Sequence, residues 1–454
     1  MYLLSLIILL FTFNLAKADE DNAVIVCKNS LETVEWDLEF IRHAHHSIDF
    51  APCFFGGEIA RKFLAAIESR LEVCPDLQVH VLTSPVFFEK EDFEIFDYLK
   101  KTYPENFHFE YAANVIIVWP DIGGINNHVK LCVIDESYFS IGGTNFDTTH
   151  CADGTFTPER EFEKLNIFAK LGPAGTRDQD IVGRGPIAIE IRQTLCKLFA
   201  LWHHYNMTND FEINIDRFEK NPFYFEVLEK PFIEKFEESK EKIFLEKDRM
   251  EYLFSGPYQF CNPITQSYTR LIREAKKEIK IANLYMNPVD AILEALLESV
   301  NRGVKLTIIT NGLSENAPNY NSYFAWANRL SYLPLFFGEK FNFWSSNLVK
   351  NMAPKDTRIY EYHVKDILLH KKVMIVDNAI VVIGSYNLGT KSHCSDYETV
   401  MVIHSPKVAS MFEEIYQIDK EKSREIHPEE AIDWYFNPLI SYIGHLQKSF
   451  SGFL

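Results

Sequence analysis

The pattern of apolar and polar positions predicts the same order of helices and strands in two stretches of the chain. Amphipathic segments with a period near 3.6 predict helices, and short apolar runs predict strands. The predicted helices lie at 33–44, 57–71, 265–277 and 291–301, and the predicted strands at 47–54, 78–83, 278–285 and 305–310. Such alternation predicts an α/β fold in which mixed sheets carry helices on both faces.

A short motif occurs once in each stretch. Both copies have the pattern H-x-K-x-x-x-x-D, formed by His128, Lys130 and Asp135 in the first and by His370, Lys372 and Asp377 in the second. A glycine turn and an asparagine follow each copy, namely Gly142 and Asn145 in the first and Gly384 and Asn387 in the second. Corresponding residues are all 242 positions apart. A match in register at five anchor residues indicates a duplicated functional unit.

The residue types of the motif suit phosphodiester chemistry. The apolar runs at 131–134 and 373–376 predict strands buried on both faces, and the two-residue period places His and Lys of each copy on one side. Each copy then offers an imidazole beside a permanent cation. If two copies face each other, one His attacks phosphorus and the other protonates the leaving oxygen, while Lys and Asn hold the remaining oxygens. This arrangement requires no metal and no other cofactor.

These motifs resemble those of the phospholipase D superfamily over nearly the whole chain, and most closely those of bacterial cardiolipin synthase-like members. The segments Arg177-Asp178-Gln179-Asp180, Gly384-Ser385-Tyr386-Asn387 and Tyr397-Glu398 are similar to segments of those enzymes. The chain departs from their pattern at Lys391-Ser392, where they usually have Arg-Ser, and at 148–174, which does not match. The resemblance implies two α-β-α repeats that share a single active site, and a phosphohistidine intermediate formed without a cofactor.

The resemblance also assigns roles to residues. It implies that the catalytic residues are His128, Lys130, Asp135, His370, Lys372 and Asp377. It implies that Asn145 and Asn387 bind the substrate phosphate and that the supporting residues are Gly142, Gly384, Ser385 and Glu398. By analogy, His128 is the nucleophile and His370 the general acid. None of these residues is expected to bind a metal.

Length and local composition predict the division of the chain. With 454 residues it exceeds the size at which a single core stops growing, so two domains are expected. We predict a first repeat at 23–204, a charged linker at 205–250 and a second repeat at 251–454. The linker is interpreted as partly helical and solvated rather than as a lid over the site.

The first 18 residues predict a targeting segment outside the fold. An apolar run at 2–15, too short to span a bilayer comfortably, precedes Ala16-Lys17-Ala18, which fits a signal peptidase site. The alternative is an uncleaved N-terminal anchor. Either predicts a protein that is exported, in the periplasm or the medium, or that is membrane-associated through this segment.

The charge of the chain restricts its partners. The formal net charge is −18, and it becomes −19 if cleavage removes Lys17, so the basic surface used for nucleic-acid binding is not expected. We expect a phospholipid substrate met at a peripheral membrane surface, and no obligatory protein partner. The aromatic stretch at 332–344 packs against the second repeat in one interpretation and contacts acyl chains or a bilayer in the other. Cys132, inside the first motif strand, is predicted to be a buried thiol.

The sequence therefore predicts a phospholipase D-type enzyme that acts on a phospholipid. The predicted reaction is transfer of a phosphatidyl group to a lipid alcohol, as in cardiolipin synthesis, or to water. The alternatives are a secreted phospholipase D hydrolase and a nuclease of the same superfamily. A binding protein without activity is disfavoured because both motifs are intact.

Overall fold

The computed structural model describes residues 21–112, 115–117, 123–148, 150–151, 175–259, 261–312, 322–364 and 367–449. The predicted targeting segment at 1–18 and most of the non-matching stretch at 148–174 lie outside these residues.

The first half of the chain contains a large sheet with helices on its outer face. Its strands are β1 (Asn22–Cys27), β2 (Ser47–Ala51), β3 (Phe55–Gly56), β4 (Gln78–Thr83), β5 (Phe107–Tyr111), β6 (Val115–Ile117), β7 (Gly123–Ile125), β8 (Leu131–Ile134), β9 (Tyr138–Gly142), β10 (Phe146–Asp147), β11 (Gly175–Arg177), β12 (Asp180–Arg184) and β13 (Ile243–Leu245). Its α-helices are α1 (Ser30–Arg42), α2 (Gly57–Val73), α3 (Lys90–Thr102), α4 (Ile187–Thr208) and α5 (Glu234–Glu237).

The second half repeats this plan. Its strands are β14 (Met250–Ser255), β15 (Glu278–Asn283), β16 (Lys305–Asn311), β17 (Thr357–Tyr362), β18 (Ile367–Leu369), β19 (Lys372–Val376), β20 (Ile380–Gly384), β21 (Glu398–His404) and β22 (Ser423–Ile426). Its α-helices are α6 (Pro263–Glu274), α7 (Asp290–Asn301), α8 (Ser322–Phe337), α9 (Ser346–Val349), α10 (Thr390–Cys394), α11 (Pro406–Glu421), α12 (Pro428–Phe436) and α13 (Pro438–Ser449).

The two large sheets have matching strand orders. The first is β13-β1-β12-β9-β8-β2-β4-β5 and the second is β14-β21-β20-β19-β15-β16-β17-β22. Seven consecutive positions correspond in these two orders, beginning with β1 and β14 and ending with β5 and β17. Each neighbouring pair of these strands is parallel or antiparallel alike in both sheets. The predicted α/β class, with mixed sheets and a repeated unit, is confirmed.

The inner faces of the two sheets share one core. Apolar side chains of β8 and β9 from the first sheet and of β19, β20 and β21 from the second belong to a single buried cluster, together with residues of α4 and α11. Two further clusters lie on the outer sides, one under α1–α3 and one under α6–α8. The halves are therefore joined by packing, and the ends of β8 and β19 that carry the motifs lie near the shared core.

A charged pair ties the inner helix to its own sheet in each half, with the polarity reversed. Arg192 of α4 donates to Asp49 of β2 at 2.6 Å. At the corresponding strand position of β15, Lys280 forms an ion pair with Glu413 of α11 at 2.8 Å. Both pairs are largely buried. The inner helix is positive and its strand negative in the first half, whereas the helix is negative and the strand positive in the second, so each inner helix complements the charge of its own sheet and not that of the other.

The segment predicted as a solvated linker is packed against the first sheet. Ile233, Phe236 and Ile243 are buried in it, and β13 forms antiparallel hydrogen bonds with β1. Its helical residues are the end of α4, the single turn α5 and two short 3-10 turns, Ile215–Phe218 and Lys247–Arg249. The difference arises because a few apolar residues, spread through a strongly charged composition, are enough to anchor the chain.

The aromatic stretch at 332–344 packs mainly inside the second repeat. Tyr332, Leu333, Phe336 and Phe337 are buried, whereas the Trp344 side chain is 87% exposed. The packing interpretation is therefore confirmed for the part of the stretch that lies in α8. Cys132 is a buried thiol, as predicted. Within the described residues, none of the helices combines the length and the apolar character that a bilayer-spanning segment needs.

Candidate active site

Short stretches of parallel pairing between the halves bring the two motifs together. β11 of the first half pairs with β18 of the second, and the backbone N–H of His370 continues this ladder by donating to the carbonyl of Arg177 at 2.9 Å. In the same way, the N–H of His128 donates to the carbonyl of Tyr397 at 3.0 Å. Each motif histidine is thus held against the segment of the opposite half that leads into an acidic residue.

That acidic residue binds the histidine of the other half. Nδ1 of His128 lies 2.9 and 3.0 Å from the two carboxylate oxygens of Glu398. The hydroxyls of Ser385 and Ser392 donate to the same carboxylate. Ser385, Ser392 and Glu398 are all fully or almost fully buried. Glu398 is therefore fixed on every side, and it fixes the orientation of the His128 ring.

The second dyad mirrors the first with a different carboxylate. Nδ1 of His370 lies 2.6 Å from Oδ2 of Asp178, and Nζ of Lys372 lies 3.0 Å from the same ring nitrogen. Gly143 occupies the position equivalent to Ser385, where a Cβ atom would lie 2.1 Å from Oδ1 of Asp178. No hydroxyl reaches Asp178 from that position. The two dyads therefore share one arrangement, but the Asp178 carboxylate lacks the hydroxyl donor that Ser385 supplies to Glu398.

Each motif lysine is bonded to the backbone of its own histidine, and each motif asparagine has a buried amide atom without a partner among the described residues. Nζ of Lys130 donates to the carbonyl of His128 at 2.7 Å, and Lys372 donates to the carbonyl of His370. Among the described residues, Nδ2 of Asn145 and Oδ1 of Asn387 are buried without a hydrogen-bond partner. A buried amide atom without a partner is costly unless a ligand satisfies it, so Nδ2 of Asn145 is suited to donate to an oxygen of a bound phosphate and Oδ1 of Asn387 is suited to accept from a substrate hydroxyl.

Burial makes the neutral imidazole the favoured form of both histidines. Burial lowers the pKa of His128 and of His370 well below the usual range, and the neighbouring lysines Lys130 and Lys372 add to the shift. His128 itself lowers the pKa of His370, which places the two rings in one electrostatic unit. Burial also raises the pKa of Glu398 to about 8. A neutral ring with Nδ1 held by a carboxylate presents Nε2 with its lone pair, as a nucleophile requires.

The structure does not bring the motif aspartates to this site. The Asp135 carboxylate accepts hydrogen bonds from the backbone N–H groups of His45, His46 and Ser47 at 2.7, 2.7 and 2.6 Å, at the far end of β8. Asp377 does the same at the far end of β19, where it accepts from the N–H groups of residues 276, 277 and 278. These contacts indicate a structural use for both aspartates, and the catalytic role that the resemblance implies for them stays a prediction.

The turn that follows each motif strand is a second reason for an aspartate at this position of the motif. Asp135 and Glu136 have φ of 51° and 50°, and Asp377 and Asn378 have φ of 53° and 52°. Turns with two positive φ angles match the twist of an antiparallel hairpin, and Asp and Asn adopt them more readily than most residues. The motif aspartate thus directs the hairpin that returns the chain toward the glycine and the asparagine.

The two supporting glycines are required by close approach. A Cβ atom on Gly142 would lie 2.0 Å from Oδ1 of Asp180, and one on Gly384 would lie 2.1 Å from the carbonyl oxygen of Thr399. Asp180 in turn accepts from the backbone N–H of Thr144 at 3.0 Å. Any side chain at these glycines would displace β12, which follows Asp178, or β21, which begins at Glu398.

One group among the described residues has metal-ligand character. Ligand atoms of His128, Asp396 and Glu398 lie within 4.8 Å of one another. Burial raises the pKa of Glu398 to about 8, which weakens it as a metal ligand at neutral pH. Glu398 already binds the His128 ring and two hydroxyls. A cation would have to displace these contacts, so the donor set fits a metal poorly.

Sequence reasoning placed Glu398 among the supporting residues and missed its counterpart Asp178. The two motifs are 242 positions apart, whereas the two carboxylates are only 220 apart, because the first half has a longer segment between its asparagine and its carboxylate. A search at a constant offset therefore fails. The signal available was chemical, since each acid follows the asparagine of its own half.

Comparison with known proteins agrees with this geometry. A family model described as "Cardiolipin synthase, PLD-like domain" matches residues 268–419, which include the second motif. The whole fold is similar to the crystal structure of phosphatidylserine synthase from Haemophilus influenzae Rd KW20, with a TM-score of 0.59, 14% sequence identity, and coverage of 94% of this chain and 92% of that one. The second half of the chain therefore carries a PLD-like domain.

Curated cardiolipin synthases are similar in sequence to part of this chain. Cardiolipin synthase A of Buchnera aphidicola subsp. Acyrthosiphon pisum (strain APS) is 29% identical over 156 residues, which cover 34% of this chain and 27% of the relative. Cardiolipin synthase of Listeria welshimeri is 22% identical over 303 residues, which cover 67% of this chain and 50% of the relative. The chain therefore spans half or less of the length of these relatives.

Proposed function

We propose that this phospholipase D-type chain transfers the phosphatidyl group of a phospholipid to an alcohol, as in cardiolipin synthesis, or to water. The observation that carries the proposal is the pair of dyads formed across the halves, His128 with Glu398 and His370 with Asp178. Two neutral imidazoles, each fixed by a buried carboxylate and flanked by an ammonium group, form one site that suits a phosphodiester.

In the first step, Nε2 of His128 attacks phosphorus and a P–N bond forms. The bond between phosphorus and the head-group oxygen breaks, and that oxygen takes a proton from Nε2 of His370. The negative charge on the non-bridging oxygens is held by Lys130, Lys372 and the two asparagine amides. A phosphate bound beside His370 supplies the negative charge that favours its protonated form, which burial alone disfavours.

In the second step, the acceptor hydroxyl attacks the phosphohistidine. Its oxygen forms a bond to phosphorus, the P–N bond breaks with its electron pair returning to His128, and the hydroxyl proton goes to His370. The two histidines therefore return to their starting states. The assignment of His128 as nucleophile and His370 as acid is part of the proposal, supported by the hydroxyl-stabilised carboxylate behind His128 alone.

The proposal extends to the setting in which the chain works. The net charge of −18 favours a lipid over a nucleic acid as the phosphodiester, since nucleic-acid binding uses basic surface. We propose that the chain meets its substrate at a membrane surface after export or anchoring by residues 1–18. The division into repeats at 23–204 and 251–454, with 205–250 between them, remains a prediction.

A direct comparison of substrates tests this function. Purified protein is incubated with vesicles of phosphatidylglycerol or phosphatidylcholine and, separately, with single-stranded DNA, and lipid products are identified by mass spectrometry. We expect cardiolipin or phosphatidic acid from the lipids and intact DNA. Cleavage of DNA with intact lipids would replace the proposal with the nuclease alternative, and phosphatidic acid alone would identify a hydrolase.

A further inference from the structure

A third histidine–carboxylate pair lies beside the two dyads. Nδ1 of His150 lies 2.6 Å from Oδ2 of Asp147, and the backbone N–H of His150 donates to the other oxygen of the same carboxylate at 3.2 Å. His150 follows Asn145 by five positions, as Ser392 follows Asn387. Where the second half places a hydroxyl that binds a dyad carboxylate, the first half therefore places an imidazole.

The His150 ring is a direct neighbour of a catalytic ring. The ring centroids of His150 and His370 are 5.7 Å apart, with an angle of 62° between the planes. Two partly exposed rings, Phe54 and Phe87, pack against His150 at 5.8 and 5.1 Å. His150 therefore lies between two partly exposed aromatic rings and the ring of His370, the proton donor proposed for the first step.

The two neighbouring rings leave the same atom available. Nδ1 is taken by Asp147 in His150 and by Asp178 in His370. No hydrogen bond to Nε2 of either ring is formed by any side chain or backbone group in the part of the chain that the structure describes. A carboxylate on Nδ1 favours the tautomer whose Nε2 accepts a hydrogen bond, so the pair offers two acceptors side by side.

We propose that His150 is an acceptor-binding residue and that, together with His370, it selects an acceptor with two hydroxyl hydrogens. The inference rests on the proposed function and specifies its acceptor side. The attacking hydroxyl gives its proton to Nε2 of His370 as its oxygen bonds to phosphorus and the P–N bond breaks. A second hydroxyl hydrogen of the same acceptor donates to Nε2 of His150, and no proton is transferred there.

This requirement separates classes of acceptor. A vicinal diol, such as the end of a glycerol head group, satisfies both imidazoles, and so does water with its two hydrogens. A simple monoalcohol satisfies only His370 and leaves Nε2 of His150 without a partner. A site built to bind a hydroxyl discriminates against an analogue that lacks it, because the polar group of the site remains unpaired.

Variants of His150 isolate the available nitrogen. In His150→Asn, the side-chain amide takes the place of Nδ1 and keeps the bond to Asp147, whereas nothing replaces Nε2. In His150→Gln, the amide reaches the place of Nε2 and restores an acceptor. The matched control is His203→Asn, since Nδ1 of His203 also lies 2.6 Å from a carboxylate, that of Glu110 in the edge strand β5 of the first sheet.

The experiment offers two acceptors in competition. Phosphatidylglycerol vesicles are mixed with equal concentrations of deuterated glycerol and ethanol, and mass spectrometry measures labelled phosphatidylglycerol, phosphatidylethanol and phosphatidic acid. Release of unlabelled glycerol in a single turnover reports the first step separately. We expect His150→Asn to lower the ratio of labelled phosphatidylglycerol to phosphatidylethanol by about tenfold, the effect of one lost hydrogen bond, with the first step changed by less than about twofold.

The remaining outcomes decide between the inference and the function on which it rests. His150→Gln should recover part of the ratio, and His203→Asn should match the unaltered protein. An unchanged ratio in His150→Asn, or an equal fall in the first step and in all products, would overturn the role of His150 while the proposed function stands. No release of glycerol by the unaltered protein would overturn both.

Discussion

Replacement of Asp135 by alanine distinguishes a structural motif aspartate from a catalytic one. The carboxylate accepts three backbone hydrogen bonds, and its Cα has a φ of 51°. A hydrogen bond to a charged group contributes about 1.5–3 kcal/mol. We take the lower value because His45 is exposed and its N–H gains water in the variant, which gives roughly 4 kcal/mol for three bonds. Alanine at positive φ adds about 1 kcal/mol.

Asp135→Ala is therefore expected to lower the free energy of unfolding by about 5 kcal/mol, a large part of the typical 5–15 kcal/mol of a folded protein. Asp377→Ala should cost about half as much, since Lys276 and Lys277, two of its three donors, are exposed. Asp135→Asn should cost about 2 kcal/mol, because asparagine tolerates positive φ and keeps one acceptor oxygen.

The assay combines stability with activity per folded molecule. Urea unfolding followed by circular dichroism gives the stability, and lipid turnover is measured well below the unfolding transition and normalised to the folded fraction. We expect the order of stability to be Asp135→Asn above Asp135→Ala, with turnover per folded molecule within about threefold of the unaltered protein. A folded Asp135→Ala protein of normal stability with turnover reduced by 10³-fold or more would refute the structural assignment.

Three other outcomes concern the reaction itself. His128→Ala and His370→Ala should each lower lipid turnover by about 10³-fold or more, but His370→Ala should retain far more activity on a nitrophenyl phosphodiester, whose leaving group needs little protonation. Rescue of His128→Ala instead would exchange the two roles. Turnover should persist in EDTA, and a loss reversed by a divalent ion would assign an ion to the group formed by His128, Asp396 and Glu398. Burial lowers the pKa of Lys372 to about 7, so its ammonium form declines as pH rises through that value, and kcat/KM should fall there. Lys372→Arg, which keeps its charge, should move this decline to higher pH, and an unmoved decline would assign it to another group.

Local sequence pattern was sufficient for most of the fold. β4 has the predicted bounds, and the other predicted helices and strands begin and end within a few residues of their predicted positions. These elements follow from apolar periodicity over short segments, which depends on neighbours along the chain. The repeated H-x-K pattern likewise located both imidazoles and both ammonium groups, because the strands that carry them are continuous apolar runs.

The partners of those imidazoles depend on how the halves dock, and local pattern does not contain that information. Asp178 reaches His370 only because β11 pairs with β18 of the other half. The structural contacts of Asp135 are also absent from the local pattern. Its position in the motif suggested chemistry, whereas its use is set by a turn at the far end of the strand and by backbone groups from another segment.

Each dyad takes its histidine from one half and its carboxylate from the other, which determines when the site can form during synthesis of the chain. Domains fold largely as units during synthesis, starting from the N-terminal side. His128 then emerges with its own sheet while Glu398, which must fix its ring, is still untranslated. Asp178 is likewise synthesised before His370, the residue that it binds. Both dyads close only after β21 has been made and the sheets have met, so the site is complete only when the second large sheet is in place.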